Sequence, residues 1–154
     1  MIRLIVAVDS MNGIANNSGI PWDIPMDKKY FRNKIANNNI LMGRGVYEEL
    51  KAPINSGKNY VLTHRERLSD GFSAISNIED ILNSSADLWV IGGAEVYKQS
   101  MDVCDEIYLT RINQDFHCTK FFPKLNHDFK LYSDSGELKE NNLTFKFLVY
   151  KRTT

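Results

Sequence analysis

Leu88-Trp89-Val90-Ile91-Gly92-Gly93-Ala94-Glu95-Val96-Tyr97 is a short apolar run, a pair of glycines and the start of a helix-forming stretch that continues to about residue 101. Four apolar residues without polar alternation read as a strand covered on both faces. A strand that ends in small residues and passes into a helix is the repeating unit of an α/β sheet. Outward from it the unit recurs. Residues 2–8 are nearly all apolar, as a buried strand is. Residues 40–42 form a short strand before Gly43-Arg44-Gly45 and a helix at about 46–50. Residues 59–62 lead to Thr63-His64-Arg65, and residues 73–75 to a helix at about 78–84. Residues 106–112 are a strand of mixed character. The tail breaks the alternation of strand and helix. Residues 129–133 and 143–150, joined by a polar turn region, read as an antiparallel pair, with Leu143, Phe145, Phe147 and Val149 alternating onto one face. The expected fold is α/β: a single mixed, mostly parallel twisted sheet with flanking helices and an antiparallel C-terminal hairpin, in one domain over residues 1–154.

Composition excludes several classes of function. The formal net charge is zero, so bulk charge does not draw this chain to nucleic acid or to an anionic membrane, and any phosphate site must be local. No apolar stretch approaches membrane-spanning length. The N-terminus carries one basic residue and a short apolar run before Asp9, which reads as a first strand rather than a signal peptide. Cys104 and Cys118 form no CxxC pair, as expected in a reducing, cytoplasmic compartment. His64, His117 and His127 lie far apart with no ligand spacing, and no metal is expected.

The acid–base chemistry points to Pro21-Trp22-Asp23-Ile24-Pro25-Met26-Asp27. Pro25 suits the first turn of a helix that runs to about residue 37. On it Asp27 shares a face with Phe31 and Ile35, with Tyr30 alongside. A carboxylate among apolar positions, without a cation on its own face and close to a tryptophan, is a candidate for a displaced pKa and a functional role. The same spacing also suits an aspartate that only favours the helix N-terminus. Residues 9–19 lack periodicity and are rich in Asn, Ser and Gly, a long loop of the kind that closes over sites.

Ligands of open α/β sheets bind beyond the carboxyl ends of the strands, and three strand ends here bring phosphate-binding groups. Gly43-Arg44-Gly45 offers close backbone approach and a guanidinium fork, although Glu48 stands where a dinucleotide fingerprint has its third glycine. Gly92-Gly93 suits a backbone pressed against a pyrophosphate, and equally a tight strand–helix packing. Thr63-His64-Arg65 suits a ribose 2′-phosphate, which favours NADPH over NADH; an exposed polar loop is the plainer alternative.

In combination these segments resemble the dihydrofolate reductase family along essentially the whole chain. The similar elements are Ile5-Val6-Ala7-Val8, Gly13-Ile14, Ile20 through Asp27, Phe31, Ile40-Leu41-Met42-Gly43-Arg44, Val90-Ile91-Gly92-Gly93 with Val96-Tyr97, Tyr108-Leu109-Thr110 and Phe121-Phe122-Pro123, in the family's order. The resemblance implies NADPH-dependent reduction of 7,8-dihydrofolate to 5,6,7,8-tetrahydrofolate, with hydride delivered to C6 and a proton to N5, by a cytoplasmic monomer. It implies that Asp27 holds the pterin edge and favours protonation, that Trp22 positions a water and closes the pocket, and that Thr110 assists. It places the substrate against Ile5, Phe31, Arg32, Leu50, Ile54 and Ile91. It places the nicotinamide against Ala7, Ile14 and Ile20. The rest of the cofactor falls to Gly43, Arg44, Gly45, Val46, Leu62, Thr63, His64 and Arg65, and to Gly92, Gly93, Ala94, Glu95, Val96 and Tyr97. Residues 9–22 become a lid over the nicotinamide, and such motions often limit turnover.

The chain departs from the family at several positions. Gly57 stands where an arginine commonly clamps the glutamate tail of folate. A weaker hold on that tail is expected unless Arg32, Lys51 or Lys58 substitutes, and Gly57→Arg is expected to restore it. Val46 replaces a common hydroxylated residue and Ala15 a common lid glycine. Cys118, Thr119 and Lys120 replace a stretch in which an aspartate commonly helps hold the lid, which predicts weaker closure. Two other readings compete: a pyrimidine reductase of riboflavin synthesis, which lacks the acid at the start of the first helix and the Pro-Trp segment, and a pterin- or nucleotide-binding protein weakened in catalysis.

Overall fold

The computed structural model describes residues 1–50, 52–54, 56–64, 67–82 and 87–153. In chain order the elements are β1 (Ile2–Val8), β2 (Gly13–Ala15), α1 (Pro25–Ile35), β3 (Asn39–Gly43), α2 (Arg44–Glu49), β4 (Asn59–Leu62), β5 (Phe72–Ile75), α3 (Glu79–Leu82), β6 (Leu88–Val90), α4 (Ala94–Ser100), β7 (Glu106–Ile112), β8 (Lys120–Phe121), β9 (Phe129–Asp134), β10 (Leu138–Glu140) and β11 (Leu143–Arg152). The main sheet has the order β10-β11-β7-β1-β6-β3-β4-β5, with β9 also paired to β11. Pairing is parallel from β7 through β5 and antiparallel where β11 meets β7, β9 and β10. The expected mixed, mostly parallel sheet with an antiparallel end is what forms. β6, the apolar run before Gly92-Gly93, lies between β1 and β3 in the middle of the sheet, and its three residues are all buried.

Register decides which side chains meet. Ala7 pairs with Thr110, and Thr110 with Phe147, so these three share one face. Ile5, Trp89, Ile40, Met42 and Val61 belong to the same face, and α1 covers it with Ile35. The opposite face carries Leu4, Val6, Val8, Leu41, Val90, Leu109 and Leu148, covered by Val96 and Tyr97 of α4. A fully buried aliphatic side chain stabilises the fold by about 1.5–3 kcal/mol. Those at 0–1% exposure include Leu4, Val8, Ile35, Ile40, Leu41, Val61, Val90, Ile107 and Leu109 and lie on both sides of the sheet, so the sheet is the middle layer of the core.

The structure differs from the sequence expectations in four places. Residues 13–15 are not loop: they form β2 against β8, and Thr119 N–H donates to the Ala15 carbonyl at 3.0 Å. The polar turn region before β11 contains β10, and β9 and β10 share one edge of β11. β11 buries both faces, Phe145 on one and Leu148 on the other, because helix and lid elements cover the second face as well. α1 ends at Ile35, two residues early, and Ile24 gives it no side-chain cap. The cap comes from far away: Met26 N–H donates to the Glu140 carboxylate at 2.7 Å. Arg65, Lys51 and residues 83–86 of the expected third helix lie outside the described residues. Among the described residues no helix is long and apolar enough to cross a membrane.

Candidate active site

The acid sits where the sequence spacing put it. Asp27, in the first turn of α1, is half-buried, and Thr110 of β7 donates its hydroxyl to Oδ1 at 2.7 Å. Two distant segments meet in that bond, because α1 packs on the face that bears Ala7, Thr110 and Phe147. Burial pushes the Asp27 carboxyl above its ordinary pKa, and the Thr110 hydrogen bond offsets part of the rise. Among the described residues no cation pairs with it. Tyr30 lies alongside, stacked on Phe147 with ring centroids 4.0 Å apart and planes 5° apart. Burial, Tyr108 and Asp27 push its phenol up to about 12, so it stays neutral.

The apolar walls come together around the acid. Ile5 is buried, and Phe31, Leu50, Ile54 and Ile91 pack as partly exposed members of one cluster with it. Trp22 is buried with Ile24, Ile112, Cys118 and Phe145, against partly buried Ala7 and Phe116, and its ring lies 5.3 Å from that of Phe116. Apolar side chains from α1 and the sheet thus gather around one acid.

Beside it lies a ledge without side chains. Gly43 N–H donates to the Gly92 carbonyl at 2.7 Å, which binds the ends of β3 and β6 together. Gly92 has φ +116° and is linked to Gly93 by a cis peptide. A Cβ on Gly43 would meet Val96 Cγ2 at 2.9 Å, whereas a Cβ on Gly45 or Gly93 would meet nothing within 4 Å. Glycine at 43 is therefore required by packing, and at 45 and 93 it leaves the backbone open. Tyr97, buried behind the turn, donates its hydroxyl to the Ile5 carbonyl at 2.7 Å.

The dihydrofolate reductase family model matches residues 1–152. The chain belongs to the dihydrofolate reductase family. It is 30% identical to the dihydrofolate reductase of Bacillus subtilis (strain 168), over 99% of this chain and 95% of that protein. It is 34% identical to that of Buchnera aphidicola subsp. Acyrthosiphon pisum (strain APS), over 85% of this chain and 81% of its counterpart. The fold is also that of a dihydrofolate reductase from Enterococcus faecalis complexed with NADP(H) and RAB-propyl, with TM-score 0.89, 24% identity and coverage of 100% and 97%. This reductase is an NADPH-dependent oxidoreductase of folate metabolism that reduces dihydrofolate.

Other residues expected at the site are more scattered. Ile14 is buried, and Leu62 and Ala94 pack against the same core on the opposite face of the sheet. Val46 packs with the substrate-side cluster. Ile20 is 64% exposed at the end of the lid segment. Arg44 is exposed and bonded to Glu48 at 3.0 Å. Thr63 is partly exposed, His64, Glu95 and Arg32 are exposed, and Val96 is buried. Tyr30 is more than the neighbour that helical spacing made it; Asp9 and Asn12 were expected only as members of the lid, and Phe116, against Trp22, and Arg111 were not singled out. Of these only Asp9 had a signal: an aspartate at the end of an apolar strand, four residues before a glycine, suits a side chain that binds its own turn.

Proposed function

We propose that this reductase works through the slot between α1 and the β1–β7 face, with Asp27 as the group that manages the proton. NADPH supplies the hydride when bound. The chain's own residues do the rest. Ile5, Phe31, Leu50 and Ile91 flank the pterin and keep water out, which strengthens every polar contact inside. Asp27, its pKa raised by burial, hydrogen-bonds the amide and amino edge of the pterin and favours protonation at N5. Thr110 fixes the carboxylate's orientation, and Trp22 positions the water through which the proton passes. The open backbone at Gly45 and Gly93 fits a diphosphate, with Gly92, Ala94 and Tyr97 behind it and Arg44, Thr63, His64 and Arg65 at the phosphates. Ala7, Ile14 and Ile20 serve the nicotinamide side. The reductase acts as a single-domain cytoplasmic monomer.

The tail of the substrate runs toward a cleft of about 320 Å³ lined by Arg32, Ile35, Ala36, Asn37, Ile54 and Ser56. Among these lining residues Arg32 is the cation that meets the glutamate.

The observation that carries this reading is the Thr110–Asp27 bond inside an apolar wall, which gives that wall one acid already aimed. Mixing the protein with NADPH and dihydrofolate and following nicotinamide absorbance tests it. Asp27→Asn is expected to slow the reaction by about 10²–10⁴-fold. An unchanged rate at neutral pH removes Asp27 from the mechanism, and no absorbance change in the parent favours the catalytically weakened binding protein.

A further inference from the structure

β7 serves both faces of the sheet with consecutive residues. Thr110 bonds Asp27 on one side. Arg111 points to the other side, at the root of the lid, where its Nη1 donates to the Asp9 carbonyl at 3.2 Å and to the side-chain oxygen of Asn12. Asn12 sits at φ +64°. Its N–H donates to the Asp9 carbonyl at 3.1 Å, and its own carbonyl accepts from Phe122 N–H at 2.8 Å. Asp9 is fully buried, and its carboxylate accepts from Met11 N–H at 2.9 Å, Gly13 N–H at 2.7 Å and Phe116 N–H at 2.9 Å. Residues 9–13 are thus a knot tied to β7 and to the 113–122 segment. The loop continues from it through Asn17, Ser18 and Ile20, which are exposed, to buried Trp22.

Arg111 holds this place against a cost. It stands directly opposite Lys146 on β11, and like charges in register disfavour a strand pair. Its two acceptors on the loop are what it gains there, and both belong to the lid root rather than to the sheet.

We infer that Arg111 is a positioning residue of this reductase: through the Asp9 carbonyl and the Asn12 side chain it fixes where residues 13–20 lie, and so governs how long NADPH is retained. The inference rests on the reading of residues 9–22 as a lid over the nicotinamide.

Arg111→Met removes the guanidinium. Asn12→Gly keeps a residue at ease with positive φ and deletes only the acceptor. Asn12→Asp retains it. Each of the first two variants is expected to speed NADPH dissociation about tenfold, and to raise amide exchange at residues 13–15 of the cofactor-free protein by a similar factor, as loss of a charge-assisted hydrogen bond does. The double variant is expected to do no more than Arg111→Met alone, since that substitution already removes the contact that Asn12→Gly breaks. Asn12→Asp is expected to stay near the parent. The pH profile of the hydride step is expected not to move, because Asp27 and Thr110 are untouched. A residue that served stability alone would shift Tm and leave NADPH release and loop exchange unchanged. NADPH release within twofold of the parent in Arg111→Met overturns the inference, as do single effects that multiply in the double variant. The lid reading is checked separately: NADPH added to the parent must slow exchange over residues 13–20, and if it does not, that reading falls and the inference with it.

Discussion

Asp27 carries a conflict between folding and function. Burial raises its carboxyl pKa above the ordinary 3.8, so the native chain binds its proton more readily than the unfolded chain. As pH rises from about the ordinary value through the native one, stability falls, and it stays lower at neutral pH. Asp27→Asn is therefore expected to raise Tm at pH 7 while it slows the reaction, with the gain fading as pH drops below about 4. Melts of both proteins across that range check the sign; a constant Tm difference contradicts it. Asp27 was legible in the sequence because its face is set by local helical spacing from Phe31 and Ile35. Its orienting partner and its stacked neighbours were less so. Thr110 is 83 residues away, and it was found only through the resemblance. The Tyr30–Phe147 stack depends on the register of β11 against β7, which no local pattern encodes.

Among the elements, the turn before β4 corrects an expectation. Gly57 cannot simply be exchanged for the missing arginine. A Cβ there would lie 2.0 Å from the Asn38 carbonyl oxygen and 2.5 Å from its carbon, both backbone atoms just before β3. Neither can swing aside as a side chain would. Gly57→Ala is expected to lose about 1–3 kcal/mol in denaturant unfolding, and Gly57→Arg at least as much, without the gain in KM that a bare sequence comparison suggests. A stable Gly57→Arg variant with a lower KM for dihydrofolate would reverse this. Inhibitors that bear a glutamate tail are still expected to lose more affinity, against ordinary family members, than tailless diaminopyrimidines. Strands and helices set by continuous apolar runs were legible to within a few residues. What was missed is made by partners distant in sequence: β2 exists only against β8, β10 only against β11, and the first turn of α1 is capped by Glu140, 114 residues on.

Across the whole molecule, zero net charge conceals an ordered chain of ions under the sheet. The N-terminal amine and Arg3 each lie 3.3 Å from Asp87, Arg3 bonds Glu106 at 2.8 Å, and Lys151 reaches Glu106 at 3.5 Å. Burial works to raise the Glu106 pKa, but Arg3 and Lys151 outweigh it and hold the carboxyl below its usual range. Asp9 is held down the same way by its backbone donors, against burial. Both contribute stability that is present above their ordinary pKa values and lost as pH falls through the depressed ones, opposite in sign to Asp27. Tm is expected to fall steeply below about pH 4, and Glu106→Gln to flatten that fall while lowering Tm at pH 7; an undiminished slope would remove Glu106 from the acid response. The layout of the fold was open to sequence reading because parallel strands buried on both faces are plain in an apolar run. The balance of charges was hidden because it depends on which strand ends become neighbours. The two unpaired thiols have a use that follows from where they lie. Burial pushes Cys104 up to about 12 and Cys118 up to about 11, so neither offers a thiolate at rest. Cys118 fills the space a side chain on Gly13 would need, whereas Cys104 lies fully enclosed after α4. An alkylating dye thus becomes a built-in clock with two hands: it should tag Cys118 whenever the loop root lifts and Cys104 only when the molecule comes apart.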